Sequence, residues 1–249
     1  LLAASELFSG VKTRSYELMG ELKGKSLLDI GCGSGVDTIA IARLAGDSGS
    51  VQGIDADNNM VSFANDSAKD AGLAHRAQHQ LADCYQLPFA DKLFDAVRSE
   101  RLLMHLKQPE LAIDEAYRVT KPGGKVVMVD TDWGSLSAHT GADDIECRLA
   151  RFRAEHYLAN GYSGRKLCSL MSAAHCEQLV TETLSLHTTD LPLWRFLTLA
   201  DAVAAAAIEY GAVTKEEISN WNSSMDAIFQ SQSFFGSVNI VLACGTVKN

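Results

Sequence analysis

LLDIGCGSGVDTIA, residues 27–40, sets a short apolar run against three glycines at alternate positions. Leu27, Leu28 and Ile30 frame Asp29 in a run too short for a helix and closed by glycine, which predicts a buried strand over 26–30. From Val36 the apolar residues return at helical spacing until Gly46, which predicts a helix with a glycine stop. Gly31, Gly33 and Gly35 would weaken either element, so their use lies in the turn between them. There they remove side chains, permit positive φ and let backbone approach a ligand at a helix N-terminus whose first amides are unpaired.

The same strand–helix rhythm runs outward from that turn. SVQGID (50–55) reads as the second strand, NMVSFANDSAKDAG (59–72) as a helix ending at glycine, and AQHQLAD (77–83) as the third strand. FDAVRS (94–99) is the fourth strand, a short helix follows over 108–120, and KPGGKVVMVD (121–130) is a turn and fifth strand. Near-continuous apolar strands alternating with helices predict an α/β fold, a doubly wound and mostly parallel sheet covered on both faces. After Asp130 the rhythm changes: 139–175 reads as helical, 179–189 as a strand, 193–230 as helical again, and 235–248 as a final strand pair or one long strand. With no repeats or linkers, residues 1–249 read as a single domain: an N-terminal helical cover over 1–24, a ligand-binding core over 25–132, and helical cap elements over 133–178 and 190–232.

Composition narrows the function classes. The 249 residues carry 22 basic and 31 acidic side chains, a net charge of −9, which argues against a general nucleic-acid binder. The local basic clusters, RLARFR (148–153) and GRK (164–166), read as solvated helix surface. Six cysteines are scattered without a CxxC pair, which fits reduced thiols in a cytoplasmic protein better than disulfides or a zinc site. No signal peptide precedes residue 10, and NIVLAC and AVAAAAI are too short to span a bilayer, so no membrane partner is expected.

About 20 residues beyond the glycine turn, Asp55 ends the second strand, placed to accept hydrogen bonds from ribose hydroxyls. Turn, acid and strand alternation together predict an adenosine-bearing ligand. The glycine spacing selects which one. A dinucleotide fingerprint is GxGxxG, whereas here the pattern is Asp29-x-Gly31-x-Gly33-x-Gly35. This resembles motif I of the class I S-adenosylmethionine-dependent methyltransferases. GID ending at Asp55, ADCYQLPFADKLFDAV (82–97) and ERLLMHLKQPELAIDEAYRVTKPGGKVVMVD (100–130) resemble the family's later motifs, so the likeness covers residues 25 to 132, and it is greatest to the ubiquinone/menaquinone-type and natural-product small-molecule branch. It implies a Rossmann-like, seven-stranded sheet with an antiparallel last strand and a helical cap. It also implies that Asp29, Gly31, Cys32, Gly33, Gly35, Asp55, Ala56, Asp83, Cys84 and Ser99 hold the cofactor, with Asp83 at the adenine amino group and Cys84 beside the ring. S-adenosylmethionine carries a sulfonium, an ammonium and a carboxylate but no phosphate, in keeping with a turn that has acids around it and no basic residue within it.

Methyl transfer needs the acceptor held in line with the methyl group and, for a hydroxyl acceptor, a base. His105 and Glu100, just past the fourth strand, are candidate bases, and Asp132 a candidate acid on the rim after the fifth. Tyr16, Trp133 and His139 are candidates for the substrate pocket, the DTDWG segment (130–134) otherwise being turn chemistry. Ile145, Leu149, Phe152 and His156 share a helical stripe, which assigns His156 to core or cap packing. Asp130 and Asp132 show no third ligand, so no metal is expected. The reading is methyl transfer to a small organic molecule, in secondary-metabolite or quinone-like biosynthesis, by a monomer or homodimer. Its rivals are an RNA or protein methyltransferase and a non-catalytic S-adenosylmethionine-binding partner. A short-chain dehydrogenase, raised by Tyr162 and Lys166 in YxxxK spacing, is disfavoured by the glycines around Tyr162 and the wrong glycine spacing upstream.

Overall fold

The computed structural model describes residues 2–248, with side chains from residue 7 onward. Along the chain run α1 (Leu2–Leu18), β1 (Ser26–Ile30), α2 (Val36–Ala45), β2 (Ser50–Asp55), α3 (Asn58–Asp70), β3 (Ala77–Leu81) and β4 (Phe94–Glu100). A single 3₁₀ turn, Leu103–His105, precedes α4 (Pro109–Val119) and β5 (Thr120–Ala138). Then come α5 (Asp143–Phe152), a π-helical turn (Arg153–Tyr157), α6 (Ser163–Ala173), β6 (Glu177–Thr188), α7 (Leu191–Thr198), α8 (Ala200–Tyr210), α9 (Lys215–Gln230) and β7 (Gly236–Thr246).

The seven strands form one sheet in the order β3-β2-β1-β4-β5-β7-β6. β7 runs antiparallel between β5 and β6, and the pairings from β3 through to β5 are parallel. The expected α/β, mostly parallel seven-stranded sheet with an antiparallel last strand is therefore present. Its order reverses between β1 and β4, the switch point at which strand ends and helix N-termini open a crevice.

Strand parity sorts the core. Leu28, Ile30, Val97, Val126 and Met128 face the layer of α4 and α6, whereas Leu27, Ala96, Val127 and Val129 face α1 and α2. A third cluster, built on Trp194, Trp221, Phe152 and Met225, holds α5 and α7–α9 together as a cap at the carboxyl end of the sheet.

Two features differ from the sequence expectation. β5 does not stop at Asp130: it continues to Ala138 and pairs with β7 through Ser137 and Ala138, with an irregularity after Asp132. The turn chemistry of DTDWG is overridden by a partner strand that is 100 residues away in sequence and invisible to local propensity. Likewise α6, inside the stretch assigned to the cap, packs Leu167 and Met171 onto the sheet beside Val241 and Ala243.

His79 on β3 shows how the glycine turn is anchored from below. Its Nε2 meets Thr38 Oγ1 at 2.6 Å and its Nδ1 meets Asn65 Oδ1 at 3.1 Å, tying α2 and α3 to the sheet. Burial pushes the imidazole pKa down to about 4, so the ring stays neutral at physiological pH. The His79 ring resonances should therefore not titrate between about pH 8 and 5 in an NMR series; a midpoint near the ordinary value of about 6.5 would contradict this environment.

Candidate active site

The glycine turn is shaped by its three left-handed residues, Gly31, Gly33 and Gly35, with φ of 75°, 51° and 79°. Two of them differ in use. A Cβ on Gly33 would meet nothing within 4 Å, so this part of the turn faces open space. A Cβ on Gly35 would lie 2.9 Å from the Ala64 Cβ, so Gly35 serves the close approach of α2 to α3 and lies inside the fold.

Asp55, at the carboxyl end of β2, braces the turn. Gly33 N–H donates to its Oδ2 at 2.9 Å and Asp57 N–H to its Oδ1 at 2.9 Å. Each oxygen keeps a further acceptor position. These open toward a cleft of about 800 Å³ whose walls include Asp55, Ala56, Asp83, Cys84, Leu102 and His105. Asp83 is oriented by the Tyr85 N–H, 2.9 Å from its Oδ1. Burial pushes the Cys84 thiol up to about 11, leaving a neutral, polarisable wall. Paired acceptors on Asp55 and a turn without a basic side chain fit the ribose of an adenosyl group.

A second cleft, about 600 Å³, begins where the first ends; Gly31 and His105 line both. Its floor is a network of charges. Arg98 is fully buried and donates to Asp29 Oδ1 at 3.0 Å, to Ser15 Oγ at 2.8 Å and to Glu100, with Asp37 at 3.7 Å. Lys12 reaches Asp37 at 2.6 Å and Glu100 at 3.3 Å, and the Tyr16 hydroxyl donates to Asp37. Burial opposes ionisation of Asp37, but Arg98 and Lys12 outweigh it and hold the carboxyl below its usual range. Burial dominates at Asp29, whose carboxyl is raised in spite of Arg98.

His105 stands at the junction of the two clefts on the 3₁₀ turn. The turn is positioned by Asp130, fully buried at the end of the parallel part of β5, whose Oδ2 accepts from Met104 N–H at 3.0 Å and Oδ1 from Thr131 N–H at 2.8 Å. Burial pushes the Asp130 carboxyl up to about 7. Partial burial and, second, the charge of Arg101 lower the His105 pKa from its ordinary value, which keeps the ring neutral. Beyond His105, Trp133 and Thr131 lead into a narrow apolar chamber between the sheet and the cap, walled by Phe8, Leu136, Leu186 and Val238.

Several expected site residues lie elsewhere. Asp132 follows the α6 side of the sheet, where Arg165 Nε donates to both its oxygens at 2.8 and 3.0 Å; the pleat that turns Thr131 and Trp133 toward the chamber turns Asp132 away. His139 is exposed outside the cleft walls, its backbone paired with Phe235, because β5 carries it past the rim. Tyr16 faces Asp37 and the Arg98 guanidinium, 5.3 Å from its ring, and serves the network below the cleft. Ser99 is buried with its hydroxyl donating to the Ile30 carbonyl at 2.9 Å. Glu100 does line the cleft, but Arg98, Lys12 and Arg101 surround its carboxylate, which anchors the network. Sequence reasoning missed Lys12, Asp37, Arg98 and Arg153. An arginine within the otherwise apolar AVRS was the available signal, since a buried strand carries a charge only when it is paired. RLARFR is surface at Arg151 but buried at Arg153, contrary to the solvated reading. Among the described residues no group of three or more His, Cys, Asp or Glu side chains is arranged to hold a metal ion.

Removing one member of a buried ion network leaves its partners uncompensated, at a cost of about 3–5 kcal/mol. Arg98→Met should lose about that much in urea unfolding, and adding Asp29→Leu should restore part of it. Strictly additive losses would contradict the coupling.

Residues 28–128 match the family model described as a methyltransferase domain. An uncharacterised 37.1 kDa protein of transposon TN4556 from Streptomyces fradiae is 32% identical over 169 residues, 68% of this chain and 48% of that protein. The demethylmenaquinone methyltransferase of Anoxybacillus flavithermus is 36% identical over 118 residues, 47% of this chain and 49% of that enzyme. The chain spans about half the length of these curated relatives. Among solved structures, a geranyl diphosphate C-methyltransferase from Streptomyces coelicolor A3(2), in complex with Mg²⁺, geranyl diphosphate and S-adenosylhomocysteine, matches in fold. The TM-score is 0.62 at 18% identity, over 96% of this chain and 77% of that one. The glycine turn and Asp55 both fall within residues 28–128, the segment that matches the methyltransferase domain family.

Proposed function

We propose that the protein transfers a methyl group from S-adenosylmethionine to a small organic acceptor, as in quinone-like or secondary-metabolite biosynthesis. The observation that carries this reading is the single groove formed by two clefts that meet at Gly31 and His105. One end suits a ribose and adenine, with Asp55, Ala56, Asp83 and Cys84 as its walls; the other is roofed by the cap over a charged floor and adjoins the apolar chamber at Trp133. The demethylmenaquinone methyltransferase relative supports an acceptor of quinone-like size.

When bound, S-adenosylmethionine supplies a methyl group already activated by its sulfonium. The chain's own contribution is then mostly position. Holding two reactants in line is worth about 7–11 kcal/mol of barrier. The Asp55 carboxylate orients the sugar end, the glycine turn leaves room for close backbone approach, and Trp133 with Leu136 excludes water around the acceptor. Neutral His105 takes the proton from an acceptor hydroxyl or acidic C–H, a step worth about 10²–10⁴-fold. The lowered His105 pKa suits this task at neutral pH.

S-adenosylhomocysteine at 100 times its dissociation constant should stabilise the fold by about 2.7 kcal/mol, and NAD should not. Asp55→Ala should abolish the shift. His105→Asn should keep it while lowering kcat by about 10²–10⁴-fold. With wild-type protein, kcat should fall as pH drops through the His105 pKa, with a midpoint below about 6.5, and that limb should vanish in His105→Asn. No shift with S-adenosylhomocysteine would overturn the cofactor reading, and unaltered turnover in His105→Asn the assignment of the base.

A further inference from the structure

Arg153 is 5% exposed yet has no carboxylate partner within ion-pair distance among the described residues. Its Nη1 donates to the Thr198 carbonyl at the end of α7, and its guanidinium lies 4.7 Å from the centre of the Trp133 ring. Its Nε is buried without a hydrogen-bond acceptor. Glu146, an acid whose charge acts on it, accepts from the Trp221 indole N–H at 2.9 Å and influences Arg153 only through space. Burial accordingly pulls the arginine pKa down to about 10, so the guanidinium remains charged. A buried cation with a free donor is costly unless something completes it.

The position of this cation is informative. Arg153 opens the π-helical turn after α5, an irregularity of the kind often found at functional sites. It lines the acceptor end of the groove beside Trp133 and Thr198. A second orphan donor lies close by: Trp194 Nε1 is buried without an acceptor, and Trp194 and Arg153 share the small cavity under Leu136. Arg153 lines the second cleft and Trp194 the apolar chamber that adjoins it at Trp133 and Thr198, with Glu146 on the wall of the small cavity they share; two buried N–H donors and a positive charge there call for oxygen acceptors bearing negative charge. Arg101, at the mouth of the same chamber and stacked on Phe8 at 4.7 Å, adds a second cation on the approach.

We propose that the methyl acceptor carries an anionic oxygen group, a carboxylate or a phosphate, that is bound by Arg153 at the inner wall of the groove. The apolar body of the acceptor then lies against Trp133 and Leu136, and the nucleophilic atom projects back toward His105. The proposal rests on the methyl-transfer reading of the groove.

Protein saturated with S-adenosylhomocysteine is titrated calorimetrically with benzoate, phenyl phosphate and the neutral benzamide. At least one anion should bind about tenfold or more tightly than benzamide. That preference should disappear in Arg153→Met and return in part in Arg153→Lys, with S-adenosylhomocysteine affinity unchanged. The ratio of benzoate to phenyl phosphate affinity tells carboxylate from phosphate. Equal binding of anion and amide by the wild-type protein, binding of neither anion at about 10 mM, or a preference that survives in Arg153→Met would overturn the proposal. The wild-type comparison and the charge-retaining lysine variant decide the matter even if Arg153→Met fails to fold, since a purely structural tie to Thr198 predicts no anion preference. Failure of the wild-type protein to bind S-adenosylhomocysteine would instead remove the cofactor reading, and the proposal with it.

Discussion

A guanidinium with no exposed surface has to be neutralised where it lies, and the architecture around the groove follows from that demand at Arg98. The side chain leaves β4 toward the α1–α2 face and meets Asp29 on β1, Asp37 in the first turn of α2, Glu100 on its own strand and Ser15 on α1. Four elements are thereby held in one register at the carboxyl end of the sheet. Buried ion networks return little net stability, because desolvation offsets the Coulomb attraction. What this one fixes is geometry. It seats α1 over the sheet, sets the start of α2 and so the glycine turn, and brings Lys12 to the floor of the groove.

The groove above it is divided by the pleat of the sheet and by the cap. At the β1–β2 end, backbone and one carboxylate do the shaping: Gly33 is left open, and Asp55 is pinned by two N–H donors. At the β5 end, alternation along the strand turns Thr131 and Trp133 inward and gives Asp130 and Asp132 to the α6 side. Asp130 then acts through structure, fixing the 3₁₀ turn that presents His105 between the two ends. A basic imidazole at the junction, an apolar chamber beyond it and a cation at the inner wall are three separate devices, supplied by β4's extension, by β5 with β7, and by the cap.

How much of this could be read from sequence depended on whether the determining contact was local. The strands up to β5, the glycine turn and the residues at strand ends were legible, because hydrophobic period and glycine spacing carry them directly. So was the gathering of Asp55, Ala56, Asp83 and Cys84 on the walls of one cleft beside the turn. The acceptor end was not. Ending the fifth strand at Asp130 puts Asp132 on the rim and His139 at the start of the cap, whereas β7 recruits the segment into the sheet. The π-helical turn shifts the helical register after Phe152, so Arg153 is turned inward and His156 outward, where it stacks on Tyr210 at a 4.5 Å ring separation. No 3.6-residue pattern anticipates that shift. Arg98 was visible in principle, as a charge within an apolar strand, but its three acids lie 2, 61 and 69 positions away in sequence and only the fold brings them together.

The proposed function requires one continuous groove that holds the methyl donor along β1 and β2 and presents it at His105. A crystal structure with S-adenosylhomocysteine tests it most directly. Both ribose hydroxyls should lie on the Asp55 carboxylate, the adenine between Ala56 and Cys84, and the thioether sulfur at the Gly31–His105 junction, facing the Trp133 chamber. Density for the ribose away from Asp55, or a sulfur turned from His105 and the chamber, would contradict it.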